Sequence, residues 1–417
     1  MNKHIEIRPD FFWVGGLNPG LRVFDIVMFT PYGTTYNSYL VRGKNKIALF
    51  ETVKEKHFDE FIGRIRSAIG DAKIDYLVLN HTEPDHAGCV ARIVEMFPDI
   101  RVFGTKQNGM FIRKVANREI PHTAVTEETK LDLGGYTIQF IIAPFLHWPD
   151  TMFSYIPEME ALISCDFLGA HYSAPEVLLS RVDPRIIEKE YRESFRYYFD
   201  MIMGPFKSHV QQALRKLEKL PLRLVCPGHG LVLDQDISRY VNSYDEWSRP
   251  VPVANNRVII PFVSAYHYTR QMAYEIARGV NDAGEGMHAR LFDLTSEGEN
   301  DDAKTKLGGV LAEIAGAKGL LVGSPTIVGD ALPPIWALLT SLNPVIHAGR
   351  IAGVFGSFGW SGEGIRFAEE RLKQLRFQMP LPSLKVQFKP SDEELEACYR
   401  FGKEFGQKIL ESGKPAS

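Results

Sequence analysis

Cysteine is scarce in this chain: four residues among 417, Cys89, Cys165, Cys226 and Cys398, with no C-x-x-C pair. That excludes a disulfide framework and a module of four thiolates around iron, and it fits a reducing cytoplasm. No block of lysine and arginine occurs and the formal net charge is only -3, so the basic footprint of a nucleic-acid binder is missing. No G-x-G-x-x-G opens a helix after a strand, which removes the dinucleotide fingerprint and argues against direct NAD(P)H binding. The opening MNKHIEIRPDFFWVGG has neither an apolar stretch nor a small-residue cleavage site. The longest charge-poor run, residues 319–349, contains Asp330 and four prolines. The expectation is a chain that neither crosses nor enters a membrane.

What is present is globular material: 45% apolar and 24% charged residues, in a chain long enough for two domains. The first half reads as strands at TTYNSYLV and KIALFET, joined through the hairpin signal RGKN. IDYLVLN follows as a buried strand, and AGCVARIVEMF as a helix. YTIQFIIAP, MFSYIP and ALISCDF are further strands. Residues 186–220 are mainly helical with a break near Gly204-Pro205, and LRLVCPGHG runs from a strand into a tight loop. Residues 237–256 finish in a proline- and asparagine-rich linker. Beyond it, RVIIPFV, ARLFDL, GLLVGS, IAGVFGS and LKVQF alternate with helical stretches, the pattern of a doubly wound parallel sheet. The domains expected are 1–250 and 251–417.

The stretch NHTEPDHAGC places His81, Glu83, Asp85 and His86 within six positions. Pro84 pushes Glu83 toward an extended conformation. In an extended chain 81, 83 and 85 project to one side, so three ligands converge at the strand end, where Asp85 can also cap the next helix. His86, turned by the helix start, is available to a second metal. His147 in APFLHWPD, Asp166 in SCDFLG and His229 in CPGHG each read alone as satisfied loop polar groups. All three, however, end strand-like segments, where site residues gather. Four imidazoles and three carboxylates suffice for two metals.

In the second half, Ser264, Ala265, Tyr266, His267, Tyr268 and Thr269 link a strand to a helix, a place whose amides and hydroxyls suit a phosphate monoester. Ser324, Pro325, Thr326 and Ile327 follow the strand GLLV, and Ser357, Phe358, Gly359, Trp360, Ser361 and Gly362 follow IAGVF. These are the carboxyl ends at which a doubly wound sheet binds its ligand. Trp360 between glycines is suited to lie flat against an isoalloxazine ring.

The H-x-E-x-D-H string with LHWPD, SCDFLG and GHG resembles the metallo-β-lactamase fold in its flavodiiron variant, and SPT and FGSFGWSG resemble that family's FMN loops. The likeness spans nearly the whole chain. It implies an αβ/βα metallo-β-lactamase-like sandwich followed by a flavodoxin-like five-stranded parallel sheet. Glu83 stands where hydrolases of this fold carry histidine, and a carboxylate favours redox-cycling iron over zinc. The resemblance makes His81, Glu83 and His147 ligands of one iron and Asp85, His86 and His229 of the other, with Asp166 bridging. His86 is the ligand on which members differ. Tyr197 and His171 match positions bordering the substrate pocket. Asp25 departs from a histidine in some relatives, and Tyr268 from a usual Ser or Thr.

The implied activity is reduction of O2 to water, NO to N2O, or both, with electrons arriving through FMN. Two ferrous ions and one reduced FMN hold the four electrons that O2 requires. Implied partners are an external donor such as rubredoxin, a reductase flavoprotein or a reduced deazaflavin, and a second copy in a head-to-tail homodimer or a dimer of dimers. Two other readings stay open: a di-zinc hydrolase with an appended flavodoxin, and a redox carrier or sensor with a structural metal.

Overall fold

The computed structural model describes residues 3–25, 28–249, 256–295 and 303–412, and of 303–306 only the backbone. The chain divides into two compact units, Met1–Pro250 and Val251–Ser417. The expected linker falls on two kinds of structure: Ile237–Ser248 is a helix, while residues 250–255 lie outside the described residues.

The first unit is built on two facing sheets. One has seven strands in the order Ile5–Arg8, Phe11–Trp13, Tyr39–Arg42, Ile47–Phe50, Tyr76–Val78, Arg101–Gly104 and His122–Ala124. Its pairing is antiparallel up to Ile47–Phe50 and parallel beyond. The hairpin Tyr39–Arg42 with Ile47–Phe50 is the one expected, whereas Thr34–Tyr36 leaves it to pair with Gly16–Asn18. The other sheet runs Lys130–Asp132, Thr137–Ile142, Met152–Ile156, Ala161–Cys165 and Leu224–Pro227, only the last pair being parallel. Ile47–Phe50, Tyr76–Val78 and Ala161–Cys165 are buried at every residue, as strands covered on both faces must be.

Phe50, Val78 and Phe103 of one sheet meet Ile138, Phe140 and Ile163 of the other in the central core. The outer faces are closed by helices. Phe58–Ile69 buries Phe58, Phe61 and Ile65 on one stripe against the first sheet. Against the second lie Ile237–Ser248, Lys207–Leu217 and the helical run before it. That run is less regular than the sequence pattern implies. After Asp183 caps Arg185 N it passes through π-helical turns at Ile187–Tyr191 and Phe199–Met203, with α-helix Arg192–Tyr198 between them. The expected break is a 3-10 turn at Gly204–Phe206.

The second unit is a five-stranded sheet, ordered Met287–Asp293, Asn256–Phe262, Gly319–Gly323, Ile351–Phe358 and Leu384–Gln387 and parallel throughout. Tyr268–Asn281 and Asp392–Ser412 pack one face; Ala303–Ala315, Pro333–Ser341 and Glu363–Gln374 pack the other. The order reverses between Asn256–Phe262 and Gly319–Gly323, which opens the binding crevice of doubly wound sheets. Both halves of the expected fold class are therefore present. Among the described residues no helix is long and apolar enough to cross a membrane.

His347 is buried in this unit and stacked on Phe377. Burial, with the charge of Arg350 added, pushes its pKa down to about 4. Between its ordinary value near 6.5 and about 4, the unfolded chain takes a proton that the folded chain refuses, so stability is full above that window and falls as pH drops through it. Urea unfolding at pH 7.5 and 5.5 should show this histidine removing about 1 kcal/mol at the lower pH. His347→Gln should flatten that difference, and an unaltered slope would overturn the assignment.

Candidate metal centre and flavin cleft

The metal-capable residues sit on loops after strands. Beyond Tyr76–Val78, Asn80 is pinned on both sides: its N–H donates to Glu51 Oε1 at 2.7 Å and its Oδ1 accepts from Ser154 Oγ at 2.7 Å. His81 and Glu83 follow, and Pro84 opens the short helix Pro84–Ala87 with Glu83 extended before it. This corrects the sequence reading of 81, 83 and 85 as one convergent set. Because the helix begins at Pro84, Asp85 lies inside its first turn instead of capping it, and it points to a different group. His147 lies between Thr137–Ile142 and Met152–Ile156, Asp166 follows Ala161–Cys165, and His229 follows Leu224–Pro227.

Three groups of ligand atoms result: His81, Glu83, His147 and Asp166 in the first, Asp85, His86 and His229 in the second, and a third that sets Cys165 beside His86 and Asp166, residues already in the other two. In the first, Glu83 Oε2 lies 3.2 Å from His81 Nε2 and 3.1 Å from His147 Nε2. Asp166 Oδ2 stands 3.6 and 3.4 Å from the same nitrogens. In the second, Asp85 Oδ2 is 3.1 Å from His229 Nε2. Asp166 Oδ1 is 3.1 Å from His86 Nε2 and 3.5 Å from His229 Nε2. Asp166 therefore offers one oxygen to each of these two groups. His86 is turned fully inward, and Gly228 permits it: a Cβ there would stand 2.6 Å from the His86 ring.

Two of the imidazoles are oriented from behind. Asp150 takes His81 Nδ1 at 3.2 Å while accepting from Thr82 N and Oγ1. His229 Nδ1 donates to Thr35 O at 2.5 Å. Both leave Nε2 for the group it faces, which is how metal-bound histidines are held. Burial alone would raise Asp166 and Asp85, but His86 and further imidazoles outweigh it and hold both carboxyls ionised; His147 and His81 do the same for Glu83. Burial likewise opposes protonation of His147, yet Asp166 and Glu83 lift it to about 9.

The donor set fits metal. Asp85 Oδ1 and Oδ2 and Asp166 Oδ2 are buried with no hydrogen-bond partner, although imidazole nitrogens lie close by. Lone pairs aimed at a shared point, 3.1–3.6 Å apart, are what ligands at about 2.1 Å from a first-row ion present. Protons on these imidazoles occupy the lone pairs that a metal takes.

His171 borders the second group from a buried position, with Nδ1 3.0 Å from Thr34 Oγ1 and its ring 4.2 Å from that of Phe24. Burial, then the neighbouring His229, holds it well below the ordinary histidine range, hence neutral. Tyr197 faces the other core and its hydroxyl accepts from Phe29 N at 3.3 Å. The hydroxyl that reaches the ligands belongs to Tyr198, which donates to Asp166 Oδ1 at 2.9 Å. Burial and the charges of Glu83 and Asp85 raise the Asp25 carboxyl.

In the second unit a cleft of about 680 Å³ opens at the carboxyl ends of the strands. Tyr266, Tyr268, Pro325, Thr326, Ile327, Ser357, Phe358, Gly359, Trp360 and Ser361 line it. Val328, Gly329 and Phe388, absent from the sequence reading, line it too. Ser264, Ala265, His267, Thr269, Ser324 and Gly362 are not part of its lining. Ser264 Oγ accepts from Arg270 N, Thr269 Oγ1 pairs with Ser357 Oγ, and Ser324 Oγ bonds Pro325 O and Leu332 N, so these hydroxyls shape the loops. The cleft fits a phosphorylated planar ring. The first-turn amides of Tyr268–Asn281 lack intrahelical acceptors. Thr326 Oγ1 is buried without a partner. Trp360 is 95% and Tyr266 73% exposed, apolar faces that a flat ligand would cover.

Comparison with known proteins follows the same division. Residues 34–230 match the family model described as ODP family beta lactamase, and residues 260–402 match the Flavodoxin model. The chain is 36% identical to the flavo-diiron protein FprA2 of Clostridium acetobutylicum over 97% of its own length and 99% of the relative's. It is 32% identical to a nitric oxide reductase of Moorella thermoacetica, covering 99% and 100% of the two chains. The solved rubredoxin oxygen:oxidoreductase of Desulfovibrio gigas superposes with a TM-score of 0.69 at 28% identity, over 98% of this chain and 99% of that one. The chain belongs to the flavo-diiron family of type A flavoproteins.

Two substitutions separate the sites. Asp150→Ala should weaken metal binding about 10–100-fold by freeing the His81 ring, with flavin content unchanged. Trp360→Ala should weaken FMN binding about tenfold by removing a stacking face, with metal content unchanged. Calorimetric titration of the stripped protein checks both, and a crossed result would show a misassigned residue.

Proposed function

We propose that His81, Glu83 and His147 hold one iron, Asp85, His86 and His229 the second, with Asp166 between them, and that the cleft beside Trp360 holds FMN. The observation that carries this is the division of Asp166: Oδ1 against one group, Oδ2 against the other. The chain is an oxidoreductase that reduces O2 to water or NO to N2O with electrons delivered through FMN. When bound, the two irons and the flavin store up to four electrons, enough to take O2 to two waters, while two suffice to take two NO to N2O and one water.

The protein's own residues decide what can reach that store. Of the seven ligand side chains only Glu83 and His147 are partly exposed, at 17% and 18%; none of the rest exceeds 5%. Phe24 and Tyr36 cover His229. Among the ligand side chains, those that a substrate can reach from solvent are therefore Glu83 and His147, a narrow approach that suits a diatomic gas. Neutral His171, held by Thr34, adds a polar atom to an otherwise aromatic wall. FMN binding falls to the phosphate-facing amides before Tyr268–Asn281 and to the aromatic faces of Trp360 and Tyr266.

The electron donor is external in this reading, rubredoxin, a reductase flavoprotein or a reduced deazaflavin, and a second copy pairs head to tail so that one chain's flavin serves another's irons. The four cysteines are free and buried, which suits the reducing cytoplasm where we place the protein.

Purified protein should carry two irons and one FMN per chain and, after anaerobic reduction, consume O2 or NO. Two zinc ions, no iron and measurable ester or amide hydrolysis would overturn this. His147→Ala should abolish turnover while keeping the flavin, and retained turnover would remove that imidazole from the ligand set. Light scattering should give a dimer or larger, and a fully active monomer would sink the head-to-tail arrangement.

A further inference from the structure

Asp166 is distinguished by what stands behind it. Tyr198 Oη donates to Oδ1 at 2.9 Å, whereas Oδ2 is buried without a hydrogen-bond partner. The two oxygens also differ in what they face: Oδ1 looks toward His86 and His229, Oδ2 toward His147 and His81. A carboxylate oxygen has two lone pairs, so Oδ1 can serve the hydroxyl and a ligand position together, while Oδ2 keeps its full donor strength for the other position.

Tyr198 is well fixed for this. It is 1% exposed, and its ring stands edge-on to His171 at 4.9 Å. It ends the α-helical segment between the two π-helical turns, irregularities that concentrate at functional sites. Successive helical residues diverge by about 100°, which sends Tyr197 toward Phe29 and Tyr198 toward Asp166.

We propose that Tyr198 is a positioning residue: its hydroxyl fixes the turn of the Asp166 carboxylate and draws electron density from Oδ1, so that the two metal positions differ in affinity and in potential. This rests on the two-metal reading above. A hydrogen bond to a ligand oxygen weakens its donation and favours the reduced ion, but it also holds the carboxylate in its ligating turn; losing that orientation outweighs the gain in donation, and loss of such an outer partner typically costs 10–100-fold in metal affinity.

The test compares wild type, Tyr198→Phe and Tyr244→Phe. Tyr244 is equally buried and packs on Phe199, and its hydroxyl makes no hydrogen bond to Asp166, whose Oδ1 is taken by Tyr198, so its replacement controls for packing. Apo protein is titrated anaerobically with Co2+, followed by absorption and calorimetry. Wild type and Tyr244→Phe should bind two equivalents. Tyr198→Phe should bind one as wild type does and the other 10–100-fold more weakly. In the iron-loaded holoprotein, an EPR-monitored titration should show the first reduction of the metal pair about tenfold less favourable in Tyr198→Phe, about 59 mV for one electron. Unchanged binding and potential would overturn the proposal. Equal weakening of both equivalents with a lowered unfolding temperature would overturn it too, since the hydroxyl would then support the fold. A wild type that takes up only one equivalent would sink the two-metal reading itself.

Discussion

Asp166 is almost completely buried and must serve two groups of ligands with one carboxylate, and most of the first unit can be understood as holding it there. An ion taken out of water costs several kcal/mol unless it is closely paired. Here three carboxylates and four imidazoles share one pocket. The imidazoles hold the carboxylates ionised, and the surplus of lone pairs is relieved only by cations. The scaffold supplies rigidity in advance: Asp150 behind His81, Thr35 behind His229, Gly228 beside His86 and Tyr198 behind Asp166. Asp150 and Gly228 stand beside strands of the second sheet and Tyr198 in the helical run that covers it, while Thr35 belongs to the separate pair Thr34–Tyr36 with Gly16–Asn18, so the packing of Phe140 and Ile163 reaches the site through loops only a few residues long.

The two sites expose themselves in opposite ways. The ligand cluster meets solvent only at Glu83 and His147, while the cleft of the second unit presents Trp360, Tyr266, Val328 and Phe388 openly. A buried, narrow site admits a small gas and excludes bulky reductants. A broad apolar rim of this kind is unusual on a protein surface unless something covers it. The division matches a protein that takes electrons from large partners at one place and gives them to small molecules at another.

Much of this was legible in the residues. Acidic and imidazole side chains within six positions mark candidate ligands, single histidines at strand ends gain weight only in their company, and strict strand–helix alternation marks a doubly wound sheet. The parts that were hidden depend on helix geometry and on contacts distant in sequence. Pro84 was visible as a residue that extends Glu83 ahead of a helix, and the resemblance alone gave Asp85 to the other group; that the helix starts at Pro84 itself, with Asp85 inside its first turn, follows only from the backbone. In RYYFD the choice between two adjacent tyrosines turns on a helical phase set between π-helical turns, which no hydrophobic period encodes. Asp150 stood three residues beyond His147 in plain view; its role depends on His81, 69 positions away. In the phosphate loop the sequence marks the serine and threonine hydroxyls as candidate ligand contacts, and what it does not show is that Ser264 Oγ also accepts from Arg270 N and that Thr269 Oγ1 pairs with Ser357 Oγ.

Glu83 gathers these strands into one physical point. A third histidine in its place would leave two carboxylates to balance two divalent ions, and each oxidation would add uncompensated positive charge in a pocket of low dielectric. With Glu83 three negative charges are present, and loss of an electron is correspondingly less costly. Glu83 also stands between His81 and His147 at 3.2 and 3.1 Å, and in the proposed ligand set it is one of the two side chains that solvent reaches. The charge that makes the site suited to redox work therefore stands at the edge where a substrate arrives, and the hydrogen bond from Tyr198 on the far side of Asp166 opposes it by drawing charge the other way. On the proposed assignment, a pair of metals held between these two influences is inequivalent, and an inequivalent pair has a defined order in which it takes up electrons.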